Sequence, residues 1–241
     1  MQSEWLQHGT WSFSDKVRRY AQWIRPQVGP MIGIFGSARD PEKAPNLHAR
    51  YANRATEIGR LLGERGASLI SGHCPGLPEL TENGFKAARI SDRKQPVIGV
   101  RIVITKDGVI FEETDRTKVD VYIECDDFGP RIEIMEALAD GAIFCPGGIG
   151  TRLELQLFIQ KQQLGSYLGR KIPLVLVGTS HWAKILDDFS AQQEDETIGS
   201  HEFWVTVTDH PEEAVELVLG ENGNRDRAER ILVETSGDLS I

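Results

Sequence analysis

Several things are missing from this 241-residue chain. No apolar run reaches the roughly 18 residues of a membrane-spanning helix. Cysteine is scarce: Cys74, Cys125 and Cys145 make an odd count with no paired spacing. That excludes a disulfide framework and predicts free thiols in a reducing compartment. Basic charge is also short, with 27 Lys and Arg against 36 Asp and Glu, a formal net charge of -9. An acidic chain repels phosphate backbones, so broad nucleic-acid or anionic-membrane binding is excluded and only a local positive pocket stays open. Residues 1–9, with Glu4 and Trp5, lack a charged-then-apolar leader, and the expected compartment is the cytoplasm. Internal repeats and low-complexity tracts are absent too.

Two nucleotide signatures are missing as well. After the first predicted strand, Gly36-Ser37-Ala38-Arg39-Asp40 breaks the dinucleotide fingerprint at its second glycine. The G-K-[ST] of an ATPase loop is absent, because Arg152 follows Thr151. Neither NAD binding nor ATP-driven phosphoryl transfer is expected.

What is present is a globular mixture, 40% hydrophobic and 26% charged, enough for one α/β domain with a full core. A helix is predicted over 15–24, capped by Ser14 and stopped by Pro26. Beyond Pro30, short apolar runs alternate with helical periodicity. Strands are predicted at 31–35, 68–71, 97–102, 119–123, 141–145, 174–177 and 203–207. Helices are predicted at 47–65, 79–89, 131–139, 151–164, 182–189 and 211–219. Gly66 reads as a helix C-cap. Lys106-Asp107-Gly108 marks a small hairpin within 103–111. A short helix is predicted at 227–233 and a frayed end at 236–241. This alternation gives right-handed crossovers and a Rossmann-like, doubly wound, mostly parallel sheet with helices on both faces.

In such sheets ligands bind beyond the carboxyl ends of the strands. There the strand 141–145 runs into Pro146-Gly147-Gly148-Ile149-Gly150-Thr151 and then a helix. Three glycines in four positions let a ligand approach the backbone. The helix start offers unpaired N–H groups and partial positive charge, which favour an anion. Thr151 either caps the helix or adds a hydroxyl donor. A tight turn with no ligand explains the same glycines, so the neighbours decide. Residues 1–30 read as an N-terminal helical extension, 31–220 as the nucleotide-binding domain and 221–241 as a charged tail.

The string Pro146-Gly147-Gly148-Ile149-Gly150-Thr151-Arg152-Leu153-Glu154 matches P-G-G-x-G-T-x-x-E. It resembles the signature of the Lonely-guy (LOG) family of nucleotide phosphoribohydrolases, long labelled lysine decarboxylases. Ile34-Phe35-Gly36-Ser37-Ala38-Arg39 resembles the family's first strand and turn. Pro75-Gly76-Leu77-Pro78-Glu79, with Gly84 beyond, resembles its P-G-[IV]-M-E segment, and 173–178 followed by Trp182 a later strand of longer members. The resemblance runs collinearly from Met31 to Phe189.

It implies a Rossmann-like homodimer that cleaves the N-glycosidic bond of a nucleoside 5′-monophosphate, giving free base and ribose 5-phosphate. Arg131 aligns with the family arginine and Glu154 with the motif glutamate. Phosphate and nucleotide contacts are expected at Gly36, Ser37, Gly76, Glu79 and the whole turn from Pro146 to Thr151. The chemistry is coherent. Bond cleavage creates an oxocarbenium-like centre that a carboxylate can stabilise, or for which it can activate water. Arg131 is too strong a base to give up a proton and would orient the substrate. Each residue also has a plainer reading: Glu154 and Glu79 as helix-start carboxylates, Arg131 as a surface partner of Asp126 or Asp127. The helix of Leu155, Leu157, Phe158 and Leu164 could serve a homodimer or simply the core.

Three positions depart from the family pattern. Its G-G-G is Gly72-His73-Cys74 here, its lysine after the arginine is Ile132, and its acidic residue before the glutamate is Leu153. The departures point to a changed substrate or to a non-catalytic carrier or sensor of a nucleotide or phosphorylated pterin, as in molybdenum-cofactor carriers. A ribosyl transferase, with a base in place of water, is a third reading. Lysine decarboxylation is not expected, since no lysine is recognisably placed for a pyridoxal phosphate Schiff base. His73, Cys74, Cys125 and Cys145 all fall at predicted strand ends and could line one pocket as a metal site or thiol nucleophile. No C-x-x-C or H-x-x-x-H spacing supports this, and buried cysteine serves as a small hydrophobe. No metal and no cofactor is expected.

Overall fold

The computed structural model describes residues 13–102, 105–106, 109–110, 115–125, 127–163, 172–198 and 205–220, with 13–18, 105–106, 109–110 and 163 described by backbone alone. In chain order the elements are α1 (Phe13–Ile24), β1 (Met31–Phe35), α2 (Pro45–Glu64), β2 (Ser68–Ser71), α3 (Leu77–Ala88), β3 (Val97–Ile102), β4 (Thr105–Lys106), β5 (Val109–Ile110), β6 (Val121–Cys125), α4 (Phe128–Leu138), β7 (Gly141–Phe144), α5 (Ile149–Gln163), β8 (Leu174–Val177), α6 (Thr179–Glu194), β9 (Val205–Thr208) and α7 (Pro211–Leu219).

β1, β2, β7 and β8 are buried at every position, as strands covered on both faces must be. Seven strands form one parallel sheet in the order β6-β3-β2-β1-β7-β8-β9. The chain thus builds outward from β1 on one side and from β7 on the other. Their following loops part at that junction and open a crevice at the carboxyl ends, which is where this class of sheet binds ligands. β4 and β5 form a separate antiparallel pair.

Helices cover both faces. On one, Phe35, Phe144 and Phe158 pack together, with ring centroids 4.6 Å apart for the stacked Phe35–Phe144 pair. Ala21 and Ile24 of α1 join this core, and Arg25 ties α1 to the end of α4 by donating to the Ala137 carbonyl at 2.6 Å. On the other face α2 and α3 approach closely. A Cβ at Gly59 would lie 1.9 Å from the Thr81 carbonyl oxygen, and one at Gly84 2.1 Å from that of Thr56. Two mid-helix glycines, each unfavourable by about 1 kcal/mol in isolation, let the backbones touch and set the position of α3.

Several boundaries differ from the sequence expectation. α1 begins at Phe13, so Ser14 sits inside its first turn instead of capping it. α2 and α3 start two residues earlier than expected, with Pro45 and Pro78 accommodated in their first turns. β6 is shifted two residues towards the C-terminus, because Asp120 is held outside it, accepting from Val97 N at 2.8 Å and pairing with Arg89. α4 begins at Phe128, whose N–H is capped by the Asp127 carboxylate at 2.6 Å. α6 runs to Glu194, beyond the apolar periodicity that marked it. The hairpin turn at 107–108, the start of the strand expected at 203, Leu164 and the tail helix at 227–233 lie outside the described residues. Among the described residues no helix is long and apolar enough to cross a membrane.

Candidate active site

The crevice between β1 and β7 holds a cavity of about 440 Å³. Gly36 and Ser37 line it from the loop after β1, Gly72 and Cys74 from the loop after β2, and Arg101 from the end of β3. Arg131 enters from α4, Gly148 from the turn before α5, and Gly150, Thr151 and Glu154 from α5. Ser37 knits these loops together: its N–H donates to the Pro146 carbonyl at 3.1 Å and its carbonyl accepts from Leu77 N at 3.0 Å.

At the wall Arg131 Nη1 donates to Glu154 Oε1 at 2.8 Å, and Arg131 Nε donates to the Val100 carbonyl at 3.0 Å. Two residues 23 apart in sequence thus form one buried pair, Glu154 being 7% exposed. Burial pushes the Glu154 carboxyl above its ordinary value, and the Arg131 charge and hydrogen bond pull it back down. A carboxylate with a raised pKa is a better base at neutral pH than a free one. Gly72 makes the pair possible. A Cβ there would stand 1.8 Å from Arg131 Nη2, so the end of the guanidinium occupies the space where a side chain would otherwise be. At the α5 start, Gly148 and Gly150 are exposed and have open space where a Cβ would project. Among the described residues nothing fills the space beside Gly148 and Gly150 at the first-turn amides, the setting that favours an anion.

The other expected site residues fall elsewhere. Pro146 and Gly147 lie behind the turn, and Ile149 is 89% exposed. Gly76 sits behind Ser37, where a Cβ would meet the Ser37 carbonyl oxygen at 2.3 Å. Glu79 is paired with Lys118 at 3.3 Å, away from the cavity wall. Arg101, Arg39 and Phe128 line the cavity without having been singled out. A cation ending the apolar strand Val97–Ile102 was the available signal for Arg101.

The departures resolve individually. Ile132 is buried in the core and Leu153 is turned to solvent, so neither lines the cavity. The idea that His73, Cys74, Cys125 and Cys145 share a pocket needs correction. Only Cys74 lines the cavity; Cys125 and Cys145 are buried in the core. Burial pushes the Cys74 thiol up to about 12 against the opposing field of Arg131, so it is no ready thiolate. Among the described residues no three His, Cys, Asp or Glu side chains gather as metal ligands.

His73 points away from the cavity. Its backbone is left-handed, φ 45°, the conformation for which glycine is the default and which costs another residue about 1–2 kcal/mol. Its ring is buried: Nδ1 lies 3.2 Å from Glu82 Oε2 and Nε2 3.1 Å from the Asp115 carbonyl. Ser71 donates its hydroxyl to the same carboxylate, and Lys86 lies 3.8 Å from it. Ser71, His73 and Glu82 are the residue types of an acyl-transfer triad, but here the serine hydroxyl donates to glutamate and accepts from the His73 backbone N–H at 2.9 Å, not from the ring, and all three are buried. The cluster is structural. Glu82 raises the His73 pKa, so the contribution of this pair is fully present below the ordinary histidine value and lost as pH rises through the raised one. Glu82→Gln is expected to cost about 2 kcal/mol near pH 6 and progressively less towards pH 9. Urea denaturation of both chains at the two pH values checks this; an equal cost at both would remove the imidazolium from the account.

Three comparisons with known proteins bear on the site. Residues 84–218 match the model of the family described as "Possible lysine decarboxylase". The pyrimidine/purine nucleotide 5′-monophosphate nucleosidase of Escherichia coli K12 is 26% identical over 171 residues, 69% of this chain and 36% of that protein. The chain therefore spans about a third of the length of that curated relative. Among solved structures, TM1055 superposes with a TM-score of 0.56 at 23% identity, covering 78% of this chain and 98% of that one. The molybdenum cofactor binding protein of Rippkaea orientalis gives 0.53 at 22%, covering 79% and 95%. At such identities these likenesses show a shared fold alone.

Proposed function

The chain belongs to the family described as possible lysine decarboxylase, and on that premise we propose that it hydrolyses the N-glycosidic bond of a nucleoside 5′-monophosphate. The Arg131–Glu154 pair, buried in a cavity one helical turn from open, glycine-flanked amides, carries the reading. In this mechanism the α5 amides and Thr151 hold the 5′-phosphate. The ribosyl C1′ rests beside Glu154, whose carboxylate stabilises the developing positive charge and accepts a proton from the attacking water. Water oxygen bonds to C1′, the C1′–N pair leaves with the base, and the base regains a proton, so that one water is consumed. Arg131 holds the carboxylate in place and orients the substrate. No lysine lines the cavity among the described residues, which supports hydrolysis over pyridoxal chemistry. The nucleosidase name of the E. coli relative supports the same substrate class.

One observation favours a second reading. Cys74 occupies cavity wall where the family pattern has glycine, which suits a carrier or sensor that binds a phosphorylated ligand without cleaving it. Incubation with AMP, CMP, GMP and UMP, read by chromatography, separates the two: released base supports hydrolysis, while binding without release supports the carrier.

We also propose a homodimer and a cytoplasmic location, with 31–220 as the nucleotide-binding domain between a helical extension and a tail. Leu155 and Phe158 are consumed by the chain's own core, whereas Ile149 and Leu153 are exposed on α5 and offer the apolar contact.

Gly72→Ala tests the geometry of the pair. The methyl must displace the Arg131 guanidinium and loosen its bond to Glu154, so base release is expected to fall about a hundredfold and the melting temperature to fall as well. Undiminished release would show that the contact between Gly72 and Arg131 does not matter to turnover.

A further inference from the structure

No step above uses the histidine behind the phosphate turn. His181 Nε2 lies 3.2 Å from Gly147 N and 3.1 Å from Gly147 O. One ring nitrogen thus meets both polar groups of a single residue. Burial lowers the His181 pKa below the ordinary histidine value, so at neutral pH the ring is uncharged, and in the tautomer with its proton on Nδ1 the Nε2 lone pair accepts the Gly147 N–H. The ring is itself well placed. It stands edge-on to Trp182, centroids 4.9 Å apart, and Trp182 is fully buried with its indole N–H donating to the Val177 carbonyl at 3.0 Å. Gly147 is held from the other side too, since a Cβ there would fall 2.1 Å from Thr151 Oγ1. Gly147 is therefore clamped between α5 and α6. It immediately precedes the residues whose amides face the cavity, so a tilt of its peptide would turn those amides as a group.

We propose that His181 is the positioning residue of an oxyanion site at the start of α5, acting through Gly147 to aim the Gly148–Thr151 amides at a phosphate monoester or similar tetrahedral anion. The proposal rests on the reading that this turn holds the substrate phosphate. His181 touches no substrate in this account, and its effect falls on affinity and not on bond cleavage.

Two variants of the full chain separate hydrogen bonding from packing. His181→Phe keeps a ring against Trp182 but cannot accept the Gly147 N–H. His181→Gln offers an acceptor at a similar reach and loses the ring. Calorimetric affinity for inorganic phosphate and for sulfate is measured on native and variant chains, with KM and kcat for a released nucleotide base. Loss of the hydrogen bond in His181→Phe is expected to weaken both anions roughly tenfold. KM should rise by the same factor at unchanged kcat, while His181→Gln stays within about threefold of native. Native-like anion affinity in His181→Phe, or a Gln variant as weak as Phe, would overturn the proposal and leave the phosphate reading standing. A native chain that binds neither anion would overturn both.

Discussion

Replacing Glu154 with Gln is expected to leave a folded protein that no longer frees base from any monophosphate. Glutamine keeps the shape and still accepts the 2.8 Å bond from Arg131, so the cavity wall is retained. What goes is the charge that faces C1′ and the ability to take a proton, a change expected to cost about a thousandfold in kcat. Stability should also lose one of its pH-dependent contributions. The native carboxyl has a raised pKa, so the folded chain loses stability as pH climbs from the unfolded carboxyl value through the raised one. The amide does not titrate, so the variant should lose this pH dependence, while the buried Arg131 guanidinium, left without its counter-charge, lowers its stability at every pH. Chromatography of the nucleotide panel together with urea midpoints checks both halves. Full turnover by the variant would remove Glu154 from the chemistry.

Arg131→Met is expected to be the most destabilising single change in the site. It leaves the Glu154 carboxylate buried with neither of the two influences that hold its pKa down. Breaking a buried ion pair from one side costs about 3–5 kcal/mol. Here the loss should depend on pH with a definite sign: large near pH 8, where the orphaned group must be ionised or take up a proton, and smaller near pH 5, where protonation is easy. Urea midpoints at the two values read it directly. In Arg131→Met combined with Glu154→Gln most of the stability should return while base release stays absent. A single variant with the same deficit at both pH values would mean that some other buried group, and not Glu154, depends on the arginine.

The fold was legible where its punctuation is local. β1, β2, β3, β8 and α7 occupy the expected residues, because glycine and proline flank short apolar runs that can be little else than buried strands or capped helix. Boundaries slipped where a side chain from elsewhere decides them. Asp120 delays β6 by anchoring β3, and Asp127 opens α4 three residues ahead of the expected start, with Pro130 tolerated in the first turn. α6 ran on because its last turns are polar and its periodic signal reports only the buried face. In the site, the turn after β7 announced itself through composition. The meeting of Arg131 with Glu154 was available only through family resemblance, since a separation of 23 residues carries no geometric information. The importance of Gly72 and the outward course of His73 were not readable. One depends on a guanidinium arriving from α4, the other on a backbone angle that histidine rarely adopts.

The imidazole at position 73 has a consequence for a residue on a different strand. A Cβ added at Gly99 would meet the His73 Cβ at 2.9 Å, so the two positions share one small volume that a single side chain fills. While histidine is there, residue 99 has lost its latitude to vary. Were position 73 glycine, residue 99 would be limited by Val119, 3.2 Å from such a Cβ, but Glu82 would lose its ring partner and keep Ser71 and Lys86. Each site's tolerance is thus set by the other's occupant: changes at 73 and 99 are interdependent, and the order in which they are made decides which intermediates fold.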